Sequence, residues 1–246
     1  MKNYLPLLCL VVLFVTTSCS KEEPEAMIVE EETYELSEEE ILIYLEELTL
    51  AKYGGCMVIL NNIHSRSKEV SDRFRDEPIN CGETKTAQES FSNSESEINS
   101  NLTSDVSITL ECKETGIPEN LKLIYTSDGS NDSNIYNSSF SSYGEISVTN
   151  INPRDTSDYL LEGYLDRTAS VGVAGIPSKF QINSLLKIVD FNVSKDNNSI
   201  SSGTIDFTVK ITYPDAPVIT ESATATFNGD QSITLNYRNK QKTIDY

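Results

Sequence analysis

Tryptophan is absent from this 246-residue chain, histidine occurs once, and 19 basic residues face 38 acidic ones. Each shortage excludes something. A Ser-His-Asp arrangement would have to use His64, which lies in a helix-like stretch with no nucleophile motif beside it. The one histidine and the cysteines show no zinc-ligand spacing, so His64 reads as a partly exposed helix residue. We expect no metal, no cofactor and no enzymatic activity. The formal net charge of -19 repels nucleic acid and anionic lipid surfaces, which excludes electrostatic binding to either. A glycoside hydrolase needs a matched pair of carboxylates, and nothing singles out a pair among the 38 acids. Without tryptophan, stacking on a sugar would fall to tyrosines such as Tyr125, Tyr136, Tyr143, Tyr159 and Tyr164.

Long apolar runs are missing as well. Tyr4 to Val15 is apolar for only 12 residues and contains Pro6. A bilayer-spanning helix needs about 20. A lysine at position 2, an apolar middle and then small residues form a secretory signal over residues 1–18. Thr16, Thr17 and Ser18 lead directly into Cys19, an arrangement that resembles the lipobox of bacterial lipoproteins. It departs from that pattern at Thr16, where the family usually has Leu or another aliphatic residue. The resemblance implies cleavage before Cys19 and acylation of its sulfur and new N-terminus, an anchor of two or three chains. Ser20-Lys21-Glu22-Glu23 is similar to the acidic export tag of Bacteroidota lipoproteins that face the cell exterior from the outer membrane.

Twelve glutamates and one lysine fall between Lys21 and Glu47. Chain this charged cannot offset its ordering entropy, so residues 19–36 read as a lipidated flexible tether. Ser37-Glu38-Glu39-Glu40 is a capping box, and Ile41, Tyr44, Leu45, Leu48 and Ala51 recur at helical spacing toward a stop at Gly54-Gly55. "CMVILNNIHSRSKEVSDRF" suits a second helix, or a short strand at its apolar start. Residues 37–80 are thus a helical lead-in, and 81–246 a β domain.

Strand alternation is clearest in "TIDFTVKITY", where Ile205, Phe207, Val209, Ile211 and Tyr213 share one face. "ESATATF" and "SITLNYR" flank the hairpin turn Asn228-Gly229-Asp230. Further strands are expected at 85–93, 103–112, 121–126, 143–149, 158–167 and 179–194. This spacing predicts a mainly β domain, either an antiparallel curved, barrel-like sheet or a sandwich. Gly163 inside "YLLEGYLDR" marks a kink, a bulge or a close backbone approach. In "FQINSLLKIVDFNV" the apolar parity switches after Ile188, which a bulge near Val189 or a strand buried on both faces would explain.

Cysteines left in the mature chain are Cys56, Cys81 and Cys112, besides the acylated Cys19. If 85–93 and 103–112 form one hairpin, the register that sets Gln88 opposite Asp105 also sets Cys81 opposite Cys112, close enough for a disulfide. Cys56 reads as a small buried side chain. Asp128, Ser130, Asp132 and Asn134 follow the first half of a calcium loop. Ser133 and Ser139 stand where such a loop needs glycine and glutamate, so the stretch reads as a polar hairpin loop.

"CGET" at Cys81, "EGYLDR" ending at Arg167, "SGTIDF" at Ser202–Phe207 and "TFNGD" before a last strand ending "TIDY" complete a pattern. With the lipobox and acidic tether it resembles a group of Bacteroidota surface lipoproteins without an assigned activity. The resemblance carries over no functional residues. It implies a lipid-anchored, non-enzymatic binding or accessory module at the outer membrane, facing the exterior, with a glycan, peptide or protein partner. A lipocalin-like carrier of a small apolar ligand is the alternative.

Overall fold

Alternation of inward apolar and outward polar residues is what builds this molecule. In a computed structural model, residues 35–50, 55–57, 60, 80–95, 98–134, 136–152, 154–175, 179–197, 199–214 and 216–246 are described. All fall within one compact unit, Tyr34–Tyr246. The signal segment 1–18, Cys19, residues 20–34 of the tether, His64 and most of the stretch proposed as a second helix lie outside the described residues. Of that stretch, Cys56, Met57 and Leu60 have helical backbone and are buried.

Among the described residues, ten strands follow the helix α1 (Glu38–Thr49): β1 (Thr84–Glu95), β2 (Ile98–Cys112), β3 (Pro118–Ser133), β4 (Tyr136–Thr149), β5 (Tyr159–Val173), β6 (Lys179–Val193), β7 (Ile200–Thr212), β8 (Ile219–Phe227), β9 (Ser232–Tyr237) and β10 (Lys240–Asp245). They pair in sequence order, all antiparallel, in one open sheet whose first and last strands are not bonded to each other. The curved sheet is thus found, and the sandwich is not. Among the described residues no helix is long and apolar enough to cross a membrane.

The expected capping box starts α1: the Ser37 amide donates to Glu40 Oε2 at 2.8 Å, and the Glu40 amide to Ser37 Oγ at 3.3 Å. The helix stops at Thr49, short of Gly54-Gly55. The sheet curls around it. The Leu36 amide donates to the Tyr213 hydroxyl just beyond β7 at 2.7 Å, Tyr44 meets Ser184 on β6, and Arg238 of the β9–β10 turn pairs with Glu38 at 2.8 Å. Being wrapped, α1 buries Leu42, Glu47 and Thr49 as well as Ile41, Tyr44, Leu45 and Leu48 of its expected stripe, whose last member, Ala51, lies outside the described residues.

Cys81 and Cys112 form a disulfide with Cα atoms 5.5 Å apart, closing a separation of 31 residues. The β1–β2 register also sets Gln88 opposite Asp105, as the sequence argument required. A loop of this length contributes about 3–4 kcal/mol by the chain-entropy model. Cys56 is a free thiol, 1% exposed, and burial pushes its pKa up to about 12.

The parity switch in β6 is a bulge. Between Ile188 and Phe191 the strand carries one residue more than either neighbour, with shifts against both β5 and β7, and Asp190 takes φ 48°. The extra residue turns Phe191 and Val193 inward after Ile188. Gly163 sits at the same place on β5 with φ 155°, and a Cβ there would lie 2.2 Å from the Glu145 carbonyl oxygen. Close approach of β4 is therefore the reason for this glycine.

Candidate functional site

Two sets of residues stand out against the plain alternation, one on each face of the sheet. On the inner face, most rungs are apolar: Val106, Tyr125, Gly144, Leu165, Leu186 and Phe207 follow one another directly from β2 to β7. Toward the other end two rungs are polar. Ser104, Ser127, Ser142, Arg167 and Ser184 oppose one another from β2 to β6. Ser100, Asn131 and Ser138 form the second rung. All eight are buried.

α1 lowers two polar side chains onto this band. The Glu47 carboxylate accepts from Asn131 Nδ2 and from Ser138 Oγ at 3.3 Å, and the Tyr44 hydroxyl lies 3.3 Å from Ser184 Oγ. Arg167 donates from Nε to Ser142 Oγ at 3.2 Å, and its guanidinium stacks 4.0 Å from the Phe140 ring centroid. Burial raises the Glu47 pKa above the usual carboxylate range, against the pull of Tyr136, Asn131, the Arg167 charge and Ser138. Burial, then the Glu47 charge, pushes Tyr44 up to about 12. Among the described residues, Asn131 Oδ1 and Ser100 Oγ have no hydrogen-bond partner. Such atoms cost about 1–3 kcal/mol each. Burial of Ile41, Leu42, Tyr44, Leu45 and Leu48 contributes about 1.5–3 kcal/mol per side chain, so apolar packing keeps α1 docked despite its buried carboxyl.

The band was not found from sequence, yet a signal existed. Arg167 shares the inward parity of Leu165, Ala169 and Val171, and Glu47 stands three residues after inward Tyr44.

Outward, the sheet is mainly Ser, Thr, Asn and Asp. One rung runs Asp128, Ser141, Thr168, Asn183, linked by the Ser141 hydroxyl donating to Asp128 and that of Thr168 to Asn183. Asp128, Ser130 and Asp132 belong to β3, which corrects the reading of this stretch as a loop. Their outward side chains alternate with inward Ser127, Gly129 and Asn131. Among the described residues no three His, Cys, Asp or Glu side chains cluster as metal ligands.

Across this polar face runs one apolar stripe. Ile124 on β3, Tyr143 on β4 and Leu185 on β6 are 37%, 41% and 45% exposed, with half-buried Tyr164 on β5 between them. The Tyr143 and Tyr164 rings are 6.3 Å apart at an angle of 52°. Tyr143 donates its hydroxyl to Glu145 Oε1 at 2.7 Å, which raises the phenol to about 12. The same hydrogen bond, then Lys122 at 3.5 Å, keeps Glu145 below the usual carboxylate range and hence ionised. Of the five candidate tyrosines, the structure brings together only Tyr143 and Tyr164. Tyr125 and Tyr159 are buried in the core, and Tyr136 lies at the margin of an apolar cleft.

That cleft opens between the start of α1 and β4–β6 and is lined by Leu36, Ile43, Tyr44, Val171, Phe180 and Ile182, among others. Its volume is about 30 Å3, room for little more than one water molecule.

No family model matches the chain, and neither does any curated protein or solved structure.

Proposed function

We propose that this chain is a lipid-anchored, non-enzymatic binding or accessory module displayed on the outer membrane, which holds a glycan, peptide or protein partner. The observation that carries the binding role is the outward Ile124–Tyr143–Tyr164–Leu185 stripe. Tyrosines and aliphatic side chains left half-exposed on a face of hydroxyls and amides form the kind of patch that marks interaction sites. Ionised Glu145, paired with Lys122, lies in register between Ile124 and Tyr164, and Asp166 lies between Tyr143 and Leu185, so polar groups are interleaved with the aromatic and aliphatic ones. The anchor rests on residues 1–25, whose charged start, short apolar run and Cys19 resemble a lipoprotein signal, with Ser20–Glu23 as the outward sorting tag.

The second reading, a carrier of a small apolar ligand, would use the apolar cleft beside α1. That cleft is far smaller than a ligand pocket and α1 covers the inner face, and both weigh against this reading.

Tyr143→Ser with Leu185→Ser tests the first reading. Both side chains point outward, so the melting temperature should stay close to wild type. Capture of the partner from surface extracts by the full-length bait should fall at least about tenfold, the loss of about 1.4 kcal/mol that one contact residue commonly carries. Undiminished capture would count against the stripe. Loss on filling the cleft with Val171→Phe instead would favour the carrier.

A further inference from the structure

With the outward stripe taken as a recognition surface, the groups set between its side chains define the charge of its partner. Asp166 stands opposite Tyr143 on β4 and Leu185 on β6, on the same outward face of β5 as Tyr164. It is exposed and makes no hydrogen bond or ion pair among the described residues. The neighbouring charges differ. Tyr143 and Lys122 hold Glu145. Lys187, opposite Tyr164, makes no ion pair with Asp166 and has Asp206 as its other ladder neighbour. The rings beside Asp166 lack a charge partner too. Among the described residues three cations stack on aromatic rings: Arg167 at 4.0 Å from the Phe140 centroid, Lys195 at 5.0 Å from that of Tyr159, and Arg238 at 5.3 Å from that of Tyr237. Tyr143 and Tyr164, side by side on the outer face, carry none.

The geometry points to a basic segment of a protein partner, with an arginine or lysine laid against the Tyr143 and Tyr164 rings and paired with Asp166. A guanidinium does both at once, because its face stacks on an aromatic ring while its edge donates to a carboxylate. Leu185, on the far side of Asp166, covers the aliphatic stem. The chain's excess of acid, 38 residues to 19, draws in a basic partner and repels an acidic one. An uncharged glycan gains nothing from that field.

The test titrates the full-length chain with an oligoarginine peptide, and with maltohexaose as the uncharged probe. The peptide should bind and the sugar should not. Tyr143→Leu and Asp166→Asn should each weaken peptide binding about three- to tenfold. Asp196→Asn, in the β6–β7 turn, removes the same charge away from the stripe and should change binding less than about twofold. Equal losses in Asp166→Asn and Asp196→Asn would mean diffuse attraction to an acidic chain and would overturn the proposal. So would an absence of peptide binding, or sugar binding that Tyr143→Leu abolishes. In those cases the stripe itself still stands if Tyr143→Ser with Leu185→Ser loses partner capture. Undiminished capture by that double variant overturns the stripe and the basic partner with it. Melting temperatures close to wild type show that each variant is folded.

Discussion

Gly163→Ala is expected to cost about 3 kcal/mol or more of folding stability, read as a large fall in melting temperature. Two penalties act together. Gly163 holds φ 155°, where a side chain is strained, and its Cβ would meet the Glu145 carbonyl oxygen at 2.2 Å and Ile146 Cα at 2.8 Å. Those atoms are β4 backbone, which cannot yield without breaking the ladder that carries Glu145 and Ile146. Gly175 supplies the control. It also has positive φ, 82°, but nothing lies within 4 Å of a Cβ built there. Gly175→Ala should therefore show backbone strain alone, about 1 kcal/mol. Urea unfolding of the two variants separates the contributions, and equal losses would mean that close approach to β4 is not what Gly163 provides.

Arg167→Ala is expected to cost about 3–5 kcal/mol, the range for removing one charged member of a buried polar set. The side chain is 2% exposed, stacks on Phe140 and donates to Ser142. Arg167→Met, similar in volume, should restore much of the loss if packing dominates. The charge has a separate signature through pH. Burial raises the Glu47 pKa, so above the ordinary carboxylate range the folded chain binds more protons than the unfolded one. Stability then falls as pH rises toward the raised value. The guanidinium opposes that shift, and removing it moves the folded pKa further up. The Arg167→Ala loss should thus be larger near pH 8 than near pH 4, and Glu47→Gln in the same chain should flatten the difference. A loss independent of pH would assign Arg167 to packing alone.

Residues that carry chemistry on the inner face are also the ones that hid strands from a reading of the sequence. The stretch 121–126 alternates Leu121, Leu123 and Tyr125 and reads as a strand. Its continuation to Ser133 turns Ser127 and Asn131 inward, so the apolar alternation vanishes where β3 persists. β4 likewise starts at Tyr136, with Ser138 and Ser142 inward. Polar inner residues cannot be told from loop residues without knowing what covers them, and α1 supplies that cover from about 90 residues upstream. The last strand ending "TIDY" proves to be two, β9 and β10, divided by a turn at Arg238-Asn239; "KQKTID" buries almost nothing and is held by ion pairs and ladder bonds, so no burial pattern marked the division. The disulfide and the bulge at Val189 were legible because each follows from register, which a period of two transmits along a strand. The outward stripe was half legible. Tyr143 and Tyr164 were among the candidate tyrosines, but their meeting depends on β4 and β5 being neighbours in register.

Protease shaving of intact cells tests the proposed lipid anchoring and surface display most directly. Protease added outside should digest the Tyr34–Tyr246 unit of the wild-type chain on intact cells, and Cys19→Ala should remove the chain from the membrane fraction altogether. A domain that survives until the outer membrane is opened, or a Cys19→Ala chain still held in the membrane, would contradict an outward-facing lipid anchor.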